Sequence, residues 1–371
     1  QEDFGTKQSL YQLFHNLFKM IKVHAPARIC FFGDHQDYLN LPVIAGTINR
    51  YIQIEAEPSK ENSFFIQLID IDKVKTIDLN KKYNKIDNED YFLSVLEVLK
   101  KAGFSFNQGY KIKISGDIPI NAGLSSSSAL VVAWIRFLLE IQDQKQEIND
   151  VQIGKWAYES ESSFFNQPGG IMDQYTIAQK GLLYINTQTT HTERLNPNIG
   201  SLVIAESGLA KQTLSVLQNA RTYGQSAIAA VLDKVPQFDL HSANETQYEE
   251  YLPLVPEVYR DHWYATIFNH LLTQKARKML ISESLDIEQL GNWMNAHQKI
   301  LQQRIQNTPE IMQKQMQAAC NAGALGTKII GSGGGGCMVA MVTENTKEKV
   351  IQAFLNKGAK AAYEISLTTA V

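Results

Sequence analysis

Cysteine is scarce: Cys30, Cys320 and Cys337 are the three in 371 residues. An odd number at wide spacings, with no C-x-x-C, argues against a disulfide framework and a cysteine-based zinc site and for a reducing compartment. Long apolar runs are also missing. None reaches the roughly 18 residues that span a bilayer. The best candidate, residues 129–141, carries Arg136 and reads as a buried helix. Residues 1–19 lack the apolar core and small-residue cleavage site of a secretory leader. Leu10, Leu13, Phe14, Leu17 and Phe18 instead recur at helical spacing, which predicts an amphipathic opening helix. Neither sign of charge dominates: 35 basic and 38 acidic residues give a formal −3. Such a balance supplies no bulk field for nucleic acid or an anionic membrane. No Walker A loop, internal repeat or low-complexity tract occurs. These absences lead us to expect a cytoplasmic protein with neither nucleic acid nor membrane as partner.

What is present suits a large globular chain. Hydrophobic residues make up 44%, enough for a core that needs no disulfide or metal. The length predicts two domains. Strand-like patterns cover residues 22–32, 42–54, 63–79 (with a turn at 70–73), 110–115, 182–185 and 202–206. Residues 328–342 read as strand, loop, strand, and a last strand closes the chain. Helical periodicity marks residues 90–102, a helix from Ala129, residues 151–165, long tracts up to 322, and 346–357. The polar stretch 233–251 reads as a surface loop or a helix end. A Pro/Asn/Gly break near residue 196 divides the chain into 1–195 and 196–371. Strands with interspersed helices in both parts predict an α+β protein of two domains.

Four segments carry chemistry. Residues 116–129, GDIPINAGLSSSSA, lie between a strand and a helix. Gly123 permits a tight turn, and Ser125, Ser126, Ser127 and Ser128 offer hydroxyls beside Leu124. The helix end adds free N–H groups and partial positive charge, which suits an oligophosphate. One serine would suffice for a helix cap. Residues 331–337, GSGGGGC, hold five glycines where a turn would use one or two, so another backbone or a ligand must approach closely. Residues 28–37, RICFFGDHQD, gather Arg28, Asp34, His35 and Asp37 at a strand end. Carboxylates there would accept hydrogen bonds from a polyol. Residues 169–175, GGIMDQY, place Asp173 behind two glycines. Asp173 is either a helix cap or, if it meets an arginine, an acceptor for a hydroxyl proton.

In chain order these segments resemble the GHMP small-molecule kinases, and among them the galactokinase branch. APARICFFGDHQDY resembles the galactokinase signature with its acid-His-x-Asp-Tyr core. GDIPINAGLSSSSA resembles the family's P-x-x-x-G-L-S-S-S-A phosphate loop, GGIMDQ the C-G-I-M-D-Q segment, and IIGSGGGGCMVA the glycine-rich third motif. The resemblance runs from about residue 23 to 342. It implies a ribosomal-protein-S5-like N-terminal domain, a ferredoxin-like C-terminal domain and an active site in the cleft between them. It implies ATP and Mg²⁺, a small-molecule sugar as acceptor, and a monomer or homodimer. Asp173 would be the catalytic base and Arg28 would neutralise charge between it and the γ-phosphate. Gly123, Leu124 and Ser125 to Ser128 would wrap the phosphates, and Ser127 and Glu161 would bind Mg²⁺. Asp34, His35, Asp37 and Gly170 would meet the sugar. Gly333, Gly334 and Gly335 would support the phosphate loop or the substrate.

Two positions depart from the galactokinase pattern. Asp34 stands where that branch carries Glu, the acid it assigns to the C6 hydroxyl. Gln218 stands where it carries a tyrosine, with Tyr223 nearby. The expected activity is phosphorylation of the anomeric hydroxyl of galactose or a related hexose. Galacturonic acid ranks second, because an acid at Asp34 would repel its carboxylate. A galactokinase-like sensor without turnover is the reading from another class. The −3 charge counts against a ribosome-associated S5-like protein.

Overall fold

The structure, a computed structural model, describes residues 20–120, 122–144, 146–210 and 213–369. The opening helix expected over residues 10–18 lies outside them. The chain divides into two compact units. One comprises Arg50–Ile118 and Ser127–Gln167 with the described part of Gln1–Pro26; the other comprises Ala27–Asn49, Pro119–Ser126 and Pro168–Val371.

In the first unit, the latter part of β2 (Val43–Ser59) pairs antiparallel with β5 (Gly109–Gly116), setting Ile54 opposite Ile114. β5 runs parallel to β3 (Ser63–Leu68), which pairs antiparallel with β4 (Lys73–Asp78). The 3₁₀ turn Ile69–Ile71 occupies the break anticipated at residues 70–73. Three helices belong here: α1 (Tyr91–Lys101), α2 (Ser126–Glu140) and α3 (Asp150–Glu161). α1 begins where the Asp90 carboxylate accepts the Leu93 N–H, and α3 where Asn149 accepts the Gln152 N–H. Aromatic rings fill the core. Trp134 stands edge-on to Phe64 and Phe92 at 5.5 and 5.2 Å and stacks on Phe137 at 5.2 Å. α2 starts at Ser126, ahead of the expected Ala129. Ser125 takes a left-handed φ of 59°, so the serines after it already form the first turn.

In the second unit, the start of β2 pairs with β6 (Leu182–Asn186), and β6 with β7 (His191–Leu195). β7 was not anticipated; its sequence HTERL has a single apolar residue. The helix α4 (Met172–Gln179) was foreseen only through the reading of Asp173 as a helix cap. Seven of its residues are buried, on every face, so no amphipathic stripe marks it.

The same unit holds a second sheet of β8 (Ser201–Glu206), β9 (Gly326–Ile329), β10 (Cys337–Val342) and β11 (Ala361–Ile365), in the order β11-β8-β10-β9. Every pairing is antiparallel. Helices α5 (Thr213–Lys234), α6 (Glu245–Tyr251), α7 (Arg260–Leu280), α8 (Ile287–Ile300) and α9 (Glu310–Asn321) lie between β8 and β9. α10 (Lys347–Asn356) lies between β10 and β11. With the long insertion counted as one helical segment, this is the βαββαβ order of a ferredoxin-like sheet. Val203, Ala205, Met316, Ile329, Met338 and Phe354 form its core. The polar stretch 233–251 is partly core: Phe238 and Ala243 pack on Ala227, Val231 and Trp263, and α6 follows. Among the described residues no helix is long and apolar enough to cross a membrane.

Candidate active site

β1 (Ile21–Phe32) carries Arg28 into the second unit. The arginine is 3% exposed. Its Nε and Nη2 donate to Asp173 Oδ1 and Oδ2 at 2.6 and 2.7 Å, a two-pronged pairing, while Nη1 donates to the Gly123 carbonyl at 2.7 Å. The Arg28 backbone N–H donates to the Leu124 carbonyl at 3.2 Å. One residue therefore holds the serine-loop backbone and the carboxylate together. Burial pulls the guanidinium pKa down, but Asp173 outweighs it and the net shift is upward. Ser125 Oγ donates to Asp173 Oδ2 at 2.5 Å. Asp173 is not a helix cap: Ile171 holds that position, and Asp173 sits in the first turn of α4 with its side chain on Arg28 and Ser125.

The glycine-rich segment answers why five glycines are needed. Gly333, Gly335 and Gly336 have φ of 81°, 142° and 86°, and Gly334 is also positive. A Cβ on Gly333, Gly335 or Gly336 would lie 2.5–2.6 Å from the carbonyl oxygens of Asn307, Ala210 and Ala122. The Gly334 and Cys337 N–H groups donate to Asn307 O and Ala122 O, each at 2.7 Å. Backbone, then, is what approaches closely, and Gly336 with Cys337 braces the loop that leads into Gly123.

The residues of the 33–37 turn separate into distinct roles. Asp37, half-buried, accepts the Tyr38 N–H at 3.0 Å. Burial, and then the charge of Asp173, pushes its pKa up to about 6. A Cβ on Gly170 would fall 2.0 Å from Asp37 Oδ2, so glycine is required there. His35 is held at both ring nitrogens. Nδ1 meets Tyr38 Oη at 2.8 Å, and Nε2 meets Ser332 O and Asn307 Nδ2, each at 3.0 Å. Asp34 is 1% exposed and lies 2.7 Å from Nζ of the fully buried Lys328. Burial works to raise its pKa, yet Lys328 and then His297 bring it below the ordinary value. His297 Nδ1 stands 3.9 Å from Asp34 Oδ2, and burial drives that imidazole down to a pKa of about 3, leaving it neutral. The expected repulsion of a uronate assumed an unpaired Asp34. Lys328 cancels that charge, so the electrostatic objection is weaker than the sequence suggested.

Ser126, Ser127 and Ser128 form the first turn of α2. Leu124 and Ser128 are buried. Glu161, buried, is the last residue of α3, in the first unit with Ser127. Gln218 is exposed on α5. Tyr223 packs its ring 5.5 Å from Tyr259 and 5.1 Å from His262.

Sequence reasoning missed Lys328, His297 and Asn307. Lys328 had a signal: a lone lysine within the apolar run TKII. His297 follows Leu290 and Met294 and precedes Leu301 on the buried stripe of its helix, where a histidine most often means core. Asn307 lies in a loop with no local pattern.

An arginine clamping a carboxylate to a serine-lined loop, backed by a glycine run, is the arrangement expected for phosphoryl transfer. Residues 90–181 match the family described as GHMP kinases N terminal domain, and residues 280–360 match GHMP kinases C terminal. The chain thus matches both domains of the GHMP kinases.

Within this kinase family it is similar to galactokinases. It is 27% identical to that of Pyrococcus furiosus over 347 residues, covering 91% of this chain and 93% of the relative. It is 28% identical to that of Streptococcus mutans over 368 residues, covering 95% and 92%. Among solved structures, Lactococcus lactis galactokinase complexed with galactose superposes with a TM-score of 0.82 over 99% of this chain and all of that one, at 20% identity. The mevalonate kinase of Methanococcus jannaschii gives a TM-score of 0.71 at 18% identity, covering 95% and 99%. At these identities the structural likeness speaks for the shared two-domain fold.

Proposed function

We propose that this GHMP kinase moves the γ-phosphoryl group of ATP onto the anomeric hydroxyl of galactose or a closely related hexose. The observation that carries this is Arg28, which bonds Asp173 and the Gly123 carbonyl at once. The galactokinase likeness over most of the chain supports the choice of sugar. Gly123, Leu124 and Ser125 to Ser128 receive the phosphates, with the amino end of α2 favouring their charge. Asp173 orients the attacking hydroxyl and collects its proton. Arg28 holds Asp173 in place and offsets charge on the equatorial oxygens in the loose transition state. Asp34, His35, Asp37 and Gly170 form the sugar side. Gly333, Gly334 and Gly335 hold the backbone that braces the phosphate loop.

The chemistry of the proposed donors, a hydroxyl and a carboxylate, suits Mg²⁺. Among the described residues no cluster of three or more His, Cys, Asp or Glu offers a protein cage. A magnesium ion, which keeps several waters and leans on substrate phosphates, needs little more than the Ser127 hydroxyl and the buried Glu161 carboxylate. When bound it neutralises phosphate charge. We further propose a cytoplasmic location, a monomer or homodimer, and family domains at 1–195 and 196–371. The matched stretches 90–181 and 280–360 fall on either side of that division.

The test is ATP consumption by the purified chain against galactose, 6-deoxygalactose, galacturonate and mevalonate, with the product examined for loss of its reducing end. Turnover of galactose to a non-reducing phosphate is expected. Turnover of galacturonate alone would replace the substrate, and sugar binding without ATP consumption would make the protein a sensor.

A further inference from the structure

Lys328 lies on β9 and is fully buried, with Ile329 and Ile330 beside it equally buried. A lysine removed from water needs an opposite charge and a partner for each N–H. It has them. Nζ donates to the Cys30 carbonyl at 2.9 Å and the Ile329 carbonyl at 2.7 Å, and it stands 2.7 Å from Asp34 Oδ2. Two of these partners belong to the sugar motif: Cys30 near the end of β1, and Asp34 in the turn that follows. On its other side Lys328 leads into the glycine-rich loop, whose Ser332 carbonyl meets His35. One ammonium thus ties Asp34 and the end of β1 to β9, while His35 is held from the glycine-rich loop by the Ser332 carbonyl. The charged and titratable groups facing Asp34 are Lys328 on β9, His297 on α8, Arg28 and Cys30 on β1, and Tyr38 after the turn. Lys328 is the cation at ion-pair distance, and His297 is neutral.

We propose that Lys328 is a positioning residue for the acceptor sugar: by gripping Asp34 and the Cys30 carbonyl it fixes the 33–37 turn in its binding geometry. The proposal rests on the sugar-kinase reading above. Without the ammonium, Asp34 is a buried carboxylate that either takes a proton or swings toward water, and the turn moves with it. ATP, held by a different loop, is affected far less.

The experiment compares wild type, Lys328→Met and Lys328→Arg by steady-state kinetics in galactose and in ATP from pH 6 to 8.5. In Lys328→Met the KM for galactose is expected to rise on the order of tenfold or more, as loss of one partner from a buried charged pair implies. The KM for ATP should stay within about twofold, since the phosphate-loop contacts of Arg28 are untouched. Lys328→Arg should recover much of the sugar affinity. Asp37, with a pKa of about 6, titrates in this range in both proteins; the KM for galactose in Lys328→Met should gain a further pH dependence beyond that of wild type, because Asp34 without its cation titrates closer to neutrality. Should Lys328→Met fail to fold, Lys328→Met with Asp34→Asn removes both charges. Calorimetry on that folded pair should still find weak galactose binding. Unchanged galactose KM, an equal rise in both KM values, or wild-type sugar affinity in the double variant would each overturn the proposal. A wild type inactive on every hexose overturns both this proposal and the kinase reading; an active wild type with an indifferent Lys328→Met removes the proposal alone.

Discussion

Replacing Asp173 with Asn tests the centre of the site with the smallest change of shape. Asn keeps one carbonyl oxygen but turns an amide toward Arg28. The arginine, 3% exposed, loses its counter-charge and one of two short hydrogen bonds and keeps the Gly123 carbonyl at 2.7 Å. Breaking a fully buried pair by removing one partner costs about 3–5 kcal/mol. Here the Asp173 side chain is 27% exposed, so water can take up part of the lost interaction. A stability loss of about 2–3 kcal/mol is the reasonable scale. Turnover should fall further. A positioned general base is worth roughly 10² to 10⁴ in rate, or about 2.7–5.5 kcal/mol of barrier. The two effects separate experimentally. Urea titration gives the folded fraction, and a coupled ATP assay at a temperature where the variant is folded gives kcat and both KM values. The expected result is a kcat down by at least a hundredfold on the same scale, with the KM for ATP within a few-fold. A kcat within about threefold of wild type, on a folded variant, would show that Asp173 does not take the hydroxyl proton.

Other outcomes follow from particular contacts. Gly336→Ala sets a Cβ 2.6 Å from the Ala122 carbonyl at a φ of 86°. It should cost about 1–3 kcal/mol in urea unfolding and raise the KM for ATP more than that for sugar; equal effects on both would deny the brace. Gly170→Ala drives a Cβ to within 2.0 Å of Asp37 Oδ2. Sugar binding measured by calorimetry should weaken about tenfold or more while nucleotide binding persists. His297, neutral when folded with a pKa of about 3, takes a proton below about pH 6.5 only in the unfolded chain. The unfolded state therefore binds more protons over that window, and stability falls as the pH drops through it, by on the order of 3 kcal/mol at pH 4. His297→Gln should flatten this acid limb, and an identical fall in urea midpoint for both proteins would contradict it.

Much of the site was legible because its chemistry is local. A loop proposed to hold phosphate needs glycine, consecutive hydroxyls and a helix start within a dozen residues, and such needs leave a pattern in the chain. The glycine run announced close approach, though only the coordinates reveal that the visitors are the carbonyls of Asn307, Ala210 and Ala122. α4 showed no helical periodicity because burial on all faces erases it, and β7 went unread because an edge of polar residues erases alternation. Lys328 was visible but uninterpretable: its partner lies 294 positions earlier, Asp34 against 328, and no local rule connects them.

The sequence by itself determined the α+β plan, the segments that could hold phosphate and the acid and arginine that could act on a hydroxyl, since each depends on residues near one another along the chain. Only the tertiary structure decided which arginine meets which carboxylate, and that Asp34 is neutralised rather than free. Those facts depend on buried charges brought together across hundreds of residues, where the low dielectric makes pairing compulsory and the chain order says nothing of who the partner is.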